Sequence, residues 1–530
     1  MTSLIEPGAY NAAADLIERN LRAGRAAKTA YIDDRGSTSY GELAERVTRC
    51  ANALIGLGLQ PEQRILLCLL DSIDFPTSFL GAITAGIVPV PVNTMLTAGD
   101  YAFMIADSRA RAILVSAPLL LTVEAALSGL PTPHPPVIVA GDHLPDGASF
   151  HHSLDALLAA ASSEPVAVTT HSDEPCFWLY SSGSTGRPKG TVHRHSSIMN
   201  TASLYAIPVL GIEEQDVVFS AAKLFFAYGL GNGLSFPLAV GATTVLMAER
   251  ATPAGVCRTL RQHKPSIFYG VPTLYGALLA SSDLPARSEL ALRRCTSAGE
   301  PLPQEIGKRW SERTGCDILD GIGSTEMLHI FLSNRQGAVR YGTTGTAVPG
   351  YELEIVDEAG QPVTDGEIGD LLVRGPTCAS FYWNNRARSC TTFEGEWTRT
   401  GDKYYRDADG HYVYAGRSDD MLKVGGIYVS PAEVESALIA HESVLEAAVI
   451  GAPDESDLIK PKAYVVLKPG RQGDGALAEA LKAHVKTLLA PYKYPRWIEF
   501  VEELPKTATG KIQRFKLRAQ NTEEKAEATP

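Results

Sequence analysis

The sequence predicts an α/β protein: a large N-terminal domain of layered α/β subdomains joined by a β subdomain, and a small mobile α+β domain at the C-terminus. Three observations predict it. Short apolar runs alternate with helix-period stretches from Tyr40 to about Leu130 and again after Gly190, the texture shifts near Tyr351 to short alternating strands with glycine turns, and a further small unit follows "GRSDD". With 530 residues, 45% of them hydrophobic, the chain exceeds what a single core takes up, so two or more domains are expected.

In chain order, Leu43 to Leu57 carries a hydrophobic residue about every third or fourth position and reads as a helix, while "RILLCLL" and "RAILVSA" read as strands. Their alternation suggests parallel strands with helical crossovers. Later, "DVVFSAA", "ATTVLMA", "PSIFYGV" and "LRRCTSAG" each end in small or turn residues, and strand ends of this kind build ligand clefts. "YELEIVDEAGQPV", "GDLLVRG" and "GHYVYAGR" read as antiparallel or mixed β structure. The last unit runs helix, strand, strand, helix in "SPAEVESALIAH", "VLEAAVIGA", "KAYVVLK" and "ALAEALKAHVKTLL", and the polar end NTEEKAEATP reads as disordered. The boundary between large and small domains is expected at 418/419, dividing 1–418 from 419–530.

Composition narrows the function. A formal net charge of -12 argues against a nucleic-acid partner. The cysteines are scattered singly, without the spacing of a zinc site or a disulfide framework, which fits a reducing compartment. MTSLIEPGAY has no secretory pattern and the apolar runs meet a charge before membrane-spanning length, so a cytoplasmic protein without membrane association is expected.

The chemistry is concentrated in loops. In "YSSGSTGRPKG", Tyr180 to Gly190, glycines let backbone N–H groups converge, hydroxyls add donors, and Arg187 and Lys189 supply charge, so a phosphate is the natural guest. The spacing is not a Walker motif, and such a loop is equally a surface turn when taken alone. It stands in one order with "SAGEPLP" (Ser297 to Pro303), "DGIGSTE" (Asp320 to Glu326), "RTGD" (Arg399 to Asp402), "GRSDDMLKVGGIYVSPAEVE" (Gly416 to Glu435) and "PKTATGK" (Pro505 to Lys511). Together these motifs resemble the adenylate-forming superfamily of acyl-CoA synthetases, luciferases and peptide-synthetase adenylation domains. "KLFFAYGLGNG" (Lys223 to Gly233), "GSTEMLHIFLSN" and "YWNNRARSCTTFEGEWTRTGD" look most like bacterial benzoate-CoA ligases.

The resemblance implies attack of a carboxylate on the α-phosphate of Mg-ATP, giving an acyl-adenylate and pyrophosphate, and then displacement of AMP by the coenzyme A thiol. It assigns Ser181, Ser182, Gly183, Ser184, Thr185 and Lys189 to the β- and γ-phosphates. Thr325 becomes a phosphate-binding hydroxyl and Glu326 the carboxylate associated with Mg2+, although Ser-Thr-Glu alone also reads as a helix cap. Gly299, Glu300, Pro301, Asp320, Gly321 and Ile322 match the adenine pocket, and Asp402 and Arg417 the ribose contacts. Asp419 matches the hinge, and Gly425 and Gly426 the pantetheine path. Lys511 matches the catalytic lysine, a fixed cation bridging the acyl carboxylate and the α-phosphate.

Phe226, Ala227 and Tyr228 match one wall of the acyl pocket, where aromatic rings edge a flat substrate, and Gly323, His329 and Ile330 the opposite wall. Core packing is the competing account for the aromatics, and a satisfied core group for the histidine. Benzoate is the expected acid; the alternatives are a substituted benzoate, delivery to a carrier protein, or a nucleotide-binding relative without turnover. Two departures stand out: "DGIGSTE" lacks the tyrosine of many relatives, and "SSGSTG" has serines where many have threonines. The expected partners are an aromatic carboxylate, ATP and coenzyme A, with a homodimer and a lysine acetyltransferase acting on Lys511 as further expectations.

Overall fold

The computed structural model describes residues 4–141, 152–166, 168–181, 188–418, 420–424, 427–454, 458–506 and 512–527. Strands form where the apolar runs stand. A five-stranded parallel sheet has the order Val88–Pro91, Arg64–Cys68, Ala112–Ser116, Val137–Ala140, His152–Ser153. Its three inner strands are buried on both faces, which is why they read as unbroken apolar runs. The expected helix spans Tyr40–Gly56 and is started by a capping box: Ser39 Oγ accepts the Glu42 N–H and the Glu42 carboxylate accepts the Ser39 N–H.

A nine-stranded sheet holds the second α/β layer. Its order is Thr346–Ala347, Ile330–Ser333, Ile318–Gly323, Arg294–Ser297, Ile267–Gly270, Val217–Ser220, Thr243–Val245, Thr29–Asp33, Gly36–Ser39. From Ile318–Gly323 to Thr29–Asp33 the pairing is parallel throughout; the outer strands are antiparallel. The region after Tyr351 is an antiparallel five-stranded sheet built on Glu352–Val356, Gly369–Arg374, Trp397–Arg406, Phe393–Glu394 and Tyr412–Arg417. A separate three-stranded sheet joins Pro175–Ser181 and Lys189–Arg194 to the short strand Phe381–Tyr382.

The last unit follows the expected order in Pro431–Ile439, Val444–Pro453, Ile459–Leu467 and Gly475–Leu488, and adds to it, among other elements, a further strand and a terminal helix. Trp497–Phe500 pairs parallel to Ile459–Leu467. Arg514–Glu527 is a helix, so Asn521 to Glu527 are ordered where composition suggested disorder. Leu517 explains this: it packs with Ile450, Tyr464 and Leu504, and one turn on Asn521 Oδ1 accepts from Lys462 Nζ at 3.0 Å. The unit has its own apolar core of Val434, Leu438, Val449, Val465, Leu481 and Val485, and Ile439 packs against the large unit's cluster around Leu274, Tyr275 and Trp310. No helix among the described residues is long and apolar enough to cross a membrane.

One buried ion pair ties the terminal helix to this core. Glu435 accepts two bonds from Arg514 Nη2, at 2.8 and 2.7 Å, and one from the Val449 N–H at 2.7 Å. Glu435 is only 7% exposed. Replacing it by alanine leaves the Arg514 guanidinium with only Asp420, 3.9 Å away, as an acidic partner among the described residues, a loss of about 3 kcal/mol expected as an earlier denaturant midpoint for the C-terminal unit.

Candidate active site

Three of the motif segments leave the carboxyl ends of parallel strands in one sheet, where α/β proteins place ligands. Val217–Ser220 runs into the "KLFFAYGLG" segment, Arg294–Ser297 into Ala298–Pro301, and Ile318–Gly323 into Ser324–Glu326. Gly299 has φ +96°, a conformation that glycine adopts without strain, which turns the chain sharply off its strand. Asp320 is buried, and burial pushes its carboxyl well above the usual range against the opposing pull of the Leu302 and Gly321 N–H groups. A Cβ on Gly321 would stand 3.0 Å from the Leu332 carbonyl oxygen, and Ile322 stays half-buried beside it. Glu300 accepts the Ile512 N–H at 2.8 Å, bringing the C-terminal tail onto this motif beside the half-buried Pro301.

The phosphate motif sits on the hairpin of Pro175–Ser181 and Lys189–Arg194, in which Ser181 and Lys189 are register partners. Ser182, Gly183, Ser184 and Thr185 between them lie outside the described residues, as do Asp419, Gly425, Gly426 and Lys511. The Lys189 ammonium lies over the Tyr382 ring, 4.7 Å from its centroid. Burial lowers its pKa, Glu326 raises it, and Arg388 and Arg417 lower it further. Glu326 accepts from the Tyr382 hydroxyl at 2.6 Å, and its own carbonyl accepts the Ala379 N–H at 2.7 Å. Half-buried Thr325 precedes it, its carbonyl accepting from Leu328 N–H. Asp402 and Arg417 face each other across an antiparallel pair, with Arg417 Nη1 3.0 Å from Asp402 Oδ1.

Among the described residues no group of three or more His, Cys, Asp or Glu side chains gathers as a metal cluster. Glu326 stands as a single carboxylate with Oε1 engaged by Tyr382. That donor set fits Mg2+, which keeps several waters and takes phosphate oxygens as further ligands, better than a metal needing a protein cage.

Phe226, Ala227 and Tyr228 are half-buried at the edge of the main core. The Tyr228 hydroxyl bonds Thr296 Oγ1 at 2.5 Å, and its ring stands edge-on to Tyr269. His329 is 3% exposed, packed against Tyr205, Tyr228 and Phe236. Its Nε2 lies 3.3 Å from the Tyr228 carbonyl and 3.1 Å from Asn232 Oδ1. The Tyr228 carbonyl can only accept, so Nε2 carries the proton and the ring pins the 228–232 turn. Gly323 passes so close to the His329 backbone that a Cβ would lie 2.5 Å from its oxygen, and Ile330 is buried at 1%. The segment is anchored below by Asp71, whose Oδ1 accepts the Leu224 N–H at 3.1 Å and whose Oδ2 lies 4.0 Å from Lys223 Nζ.

The geometry thus gathers Lys189 with Glu326, Asp402 with Arg417, and Tyr228 with His329. It also exposes residues that sequence reasoning missed: Asn232 and Tyr382, although both stand inside quoted segments, and Asp71 and Asp107, which no motif marks. Asp107 accepts from the Tyr180 hydroxyl at 2.7 Å and from Trp383 Nε1 at 2.8 Å, bracing the hairpin that carries the phosphate motif.

Residues 17–383 match the AMP-binding enzyme family and residues 433–511 the AMP-binding enzyme C-terminal domain. The chain is 64% identical over 515 residues to a benzoate-CoA ligase of Thauera aromatica, covering 97% of this chain and 96% of that protein. It is similar to the crystal structure of a benzoate CoA ligase from Burkholderia xenovorans LB400, with TM-score 0.90, 57% identity, and 96% and 100% of the two chains covered. The structure of the anthranilate CoA ligase AuaEII in complex with anthranoyl-AMP gives TM-score 0.94 at 45% identity, covering 98% of this chain and 99% of that one.

Two outcomes follow from the geometry. A Cβ on Gly229 would lie 2.0 Å from the Lys223 carbonyl oxygen, so Gly229→Ala must spring the turn that presents Tyr228; binding of the aromatic acid is expected to weaken at least about tenfold while ATP binding persists, measured separately by calorimetry. Burial holds His193 at about 3, His195 at about 4 and His329 at about 3, each below its ordinary 6.5. The unfolded chain therefore takes up those protons first as pH falls. Stability is full above the ordinary histidine value and declines below it, by about 2 kcal/mol per histidine between pH 7 and pH 5. Asp71, raised by burial to about 6, acts oppositely and offsets part of the loss. His193 stacks on Phe177, so His193→Phe keeps the stack and is expected to show a shallower fall in denaturant midpoint over that range.

Proposed function

The chain belongs to the AMP-binding enzyme family, and we propose that it is an ATP-dependent benzoate-CoA ligase with a large domain at 1–418 and a small domain at 419–530. The observation that carries this reading is the meeting of Lys189, from the three-stranded sheet, with Glu326 at Tyr382, Glu326 leaving the same nine-stranded sheet as the half-buried aromatic wall of Phe226, Ala227 and Tyr228. The end-to-end similarity to benzoate-CoA ligases supports it. We place the enzyme in the cytoplasm.

In the first step a benzoate oxygen attacks the α-phosphorus, the bond to the bridging oxygen breaks, and pyrophosphate leaves. Charge builds on the α-phosphate oxygens and the leaving group, so preformed cations and donors stabilise the transition state. Lys189 faces the β- and γ-phosphates, already desolvated and therefore strong toward an anion. Thr325 donates its hydroxyl to phosphate, and Lys511 bridges the carboxylate and α-phosphate as a fixed cation. Mg2+ supplies charge neutralisation on the phosphate oxygens, and Glu326 would hold it. Gly299, Glu300, Pro301, Asp320, Gly321 and Ile322 bound the adenine, while Asp402 accepts the ribose hydroxyls and Arg417 orients Asp402. In the second step the coenzyme A thiol attacks the acyl carbon and AMP leaves, with rotation about Asp419 exchanging Lys511 for the Gly425 and Gly426 path. Acetylation of Lys511 would remove the charge the first step needs.

The test is benzoate-dependent exchange of labelled pyrophosphate into ATP, run beside coenzyme A-dependent AMP release. Wild type is expected to show both. Lys511→Ala is expected to lose exchange yet convert supplied benzoyl-AMP to the thioester. Exchange without coenzyme A-dependent release would point to a carrier protein as acceptor, and the absence of both with benzoate, 2-aminobenzoate and hydroxybenzoates would overturn the reading.

A further inference from the structure

We propose that Tyr382 is a positioning residue for adenylation, one side chain that aims both the metal-associated carboxylate Glu326 and the phosphate-facing cation Lys189. The proposal rests on the reading of Glu326 just given.

Opposite charges placed together in a half-buried site would neutralise each other unless something holds them apart. Here a single phenol does so. Its hydroxyl end donates to Glu326 Oε1 at 2.6 Å, and its ring face receives the Lys189 ammonium at 4.7 Å from the centroid. A hydroxyl proton can occupy only one carboxylate oxygen, so Oε2 keeps its lone pairs for a cation. The ring quadrupole stabilises the ammonium without consuming its three N–H donors, which stay available to phosphate oxygens.

The support for this phenol is itself built in. Tyr382 pairs with Thr191 two residues beyond Lys189, and the Trp383 N–H donates to the Gly190 carbonyl at 2.8 Å. Just upstream, the Ala379 N–H donates to the Glu326 carbonyl at 2.7 Å. The segment from Ala379 to Trp383 therefore stitches the strand bearing Lys189 to the loop bearing Glu326, with Tyr382 between them. The ring also packs on Phe393 at 5.2 Å, which limits its freedom to swing away.

Tyr382→Phe removes the hydroxyl and keeps the ring; Tyr382→Leu removes both. Calorimetric titration with ATP, once with saturating Mg2+ and once in EDTA, separates the two contacts. Tyr382→Phe is expected to weaken MgATP binding about tenfold and leave metal-free ATP binding as in wild type, with the Mg2+ concentration needed for half-maximal exchange rising in step. Tyr382→Leu is expected to weaken metal-free ATP binding as well, because Lys189 loses its platform. In the Glu326→Gln background, Tyr382→Phe should add little, as expected when one residue acts through the other.

Wild-type MgATP affinity in Tyr382→Phe, equal weakening with and without Mg2+, or full additivity with Glu326→Gln would each overturn the proposal. If Glu326→Gln itself preserves the Mg2+-dependent gain in affinity, the reading of Glu326 fails and takes the proposal with it. If Glu326→Gln abolishes that gain while Tyr382→Phe preserves it, only the role of Tyr382 fails.

Discussion

The site depends on the parallel register of four strands in the nine-stranded sheet. Ser220 pairs with Tyr269, Gly270 with Ser297, and Ser297 with Asp320, so the strands end nearly level. Neighbouring strands lie about 4.8 Å apart, and level ends therefore deliver the aromatic segment, the Gly299 turn and the Glu326 loop to one short edge. A slip of one residue would invert every side chain on a strand and turn Thr296 away from Tyr228. The register is held by burial on both faces, with Phe219, Phe268 and Cys295 in the cluster beneath. Binding geometry is thus inherited from core packing several residues away.

Electrostatics at the site runs against the chain's overall sign. The protein carries a formal net charge of -12, yet two further cations, Arg388 and Arg417, act on Lys189. Partial burial strengthens the Lys189 charge toward an incoming anion by removing competing water, while Arg388 and Arg417 stand exposed. The cost of burying Lys189 is offset partly by Glu326 and partly by the Tyr382 ring. Local arrangement, and not bulk composition, decides that a polyanion is welcome here.

Much of this was legible in the sequence because it is local. The apolar runs became strands, the turn residues at their ends became the loops, and the helix, strand, strand, helix order of the C-terminal unit stands as read. What was not legible depends on contacts between distant segments. Asn232 lies inside a quoted stretch, but its role appears only when His329 folds back onto it across 97 residues. Tyr382 and Glu326 meet across 56. The helix Arg514–Glu527 was hidden for a different reason: its composition is polar, and its order comes from Leu517 packing and from Arg514 and Arg518, which pair with Glu435 and Asp420. Trp497–Phe500 is short and follows a proline, so only its partner strand reveals it.

The bond between the Ile512 N–H and Glu300 joins the two units through a backbone donor on one side and a side-chain acceptor on the other. Its two ends therefore have unequal visibility to evolution. Position 300 must supply an acceptor, whereas position 512 gives this bond only its amide hydrogen, its side chain packing against the cluster around Leu517. Only proline lacks that hydrogen. An apolar replacement at residue 512 that keeps this packing thus leaves the bond intact, whereas a change at position 300 that removes the acceptor breaks it.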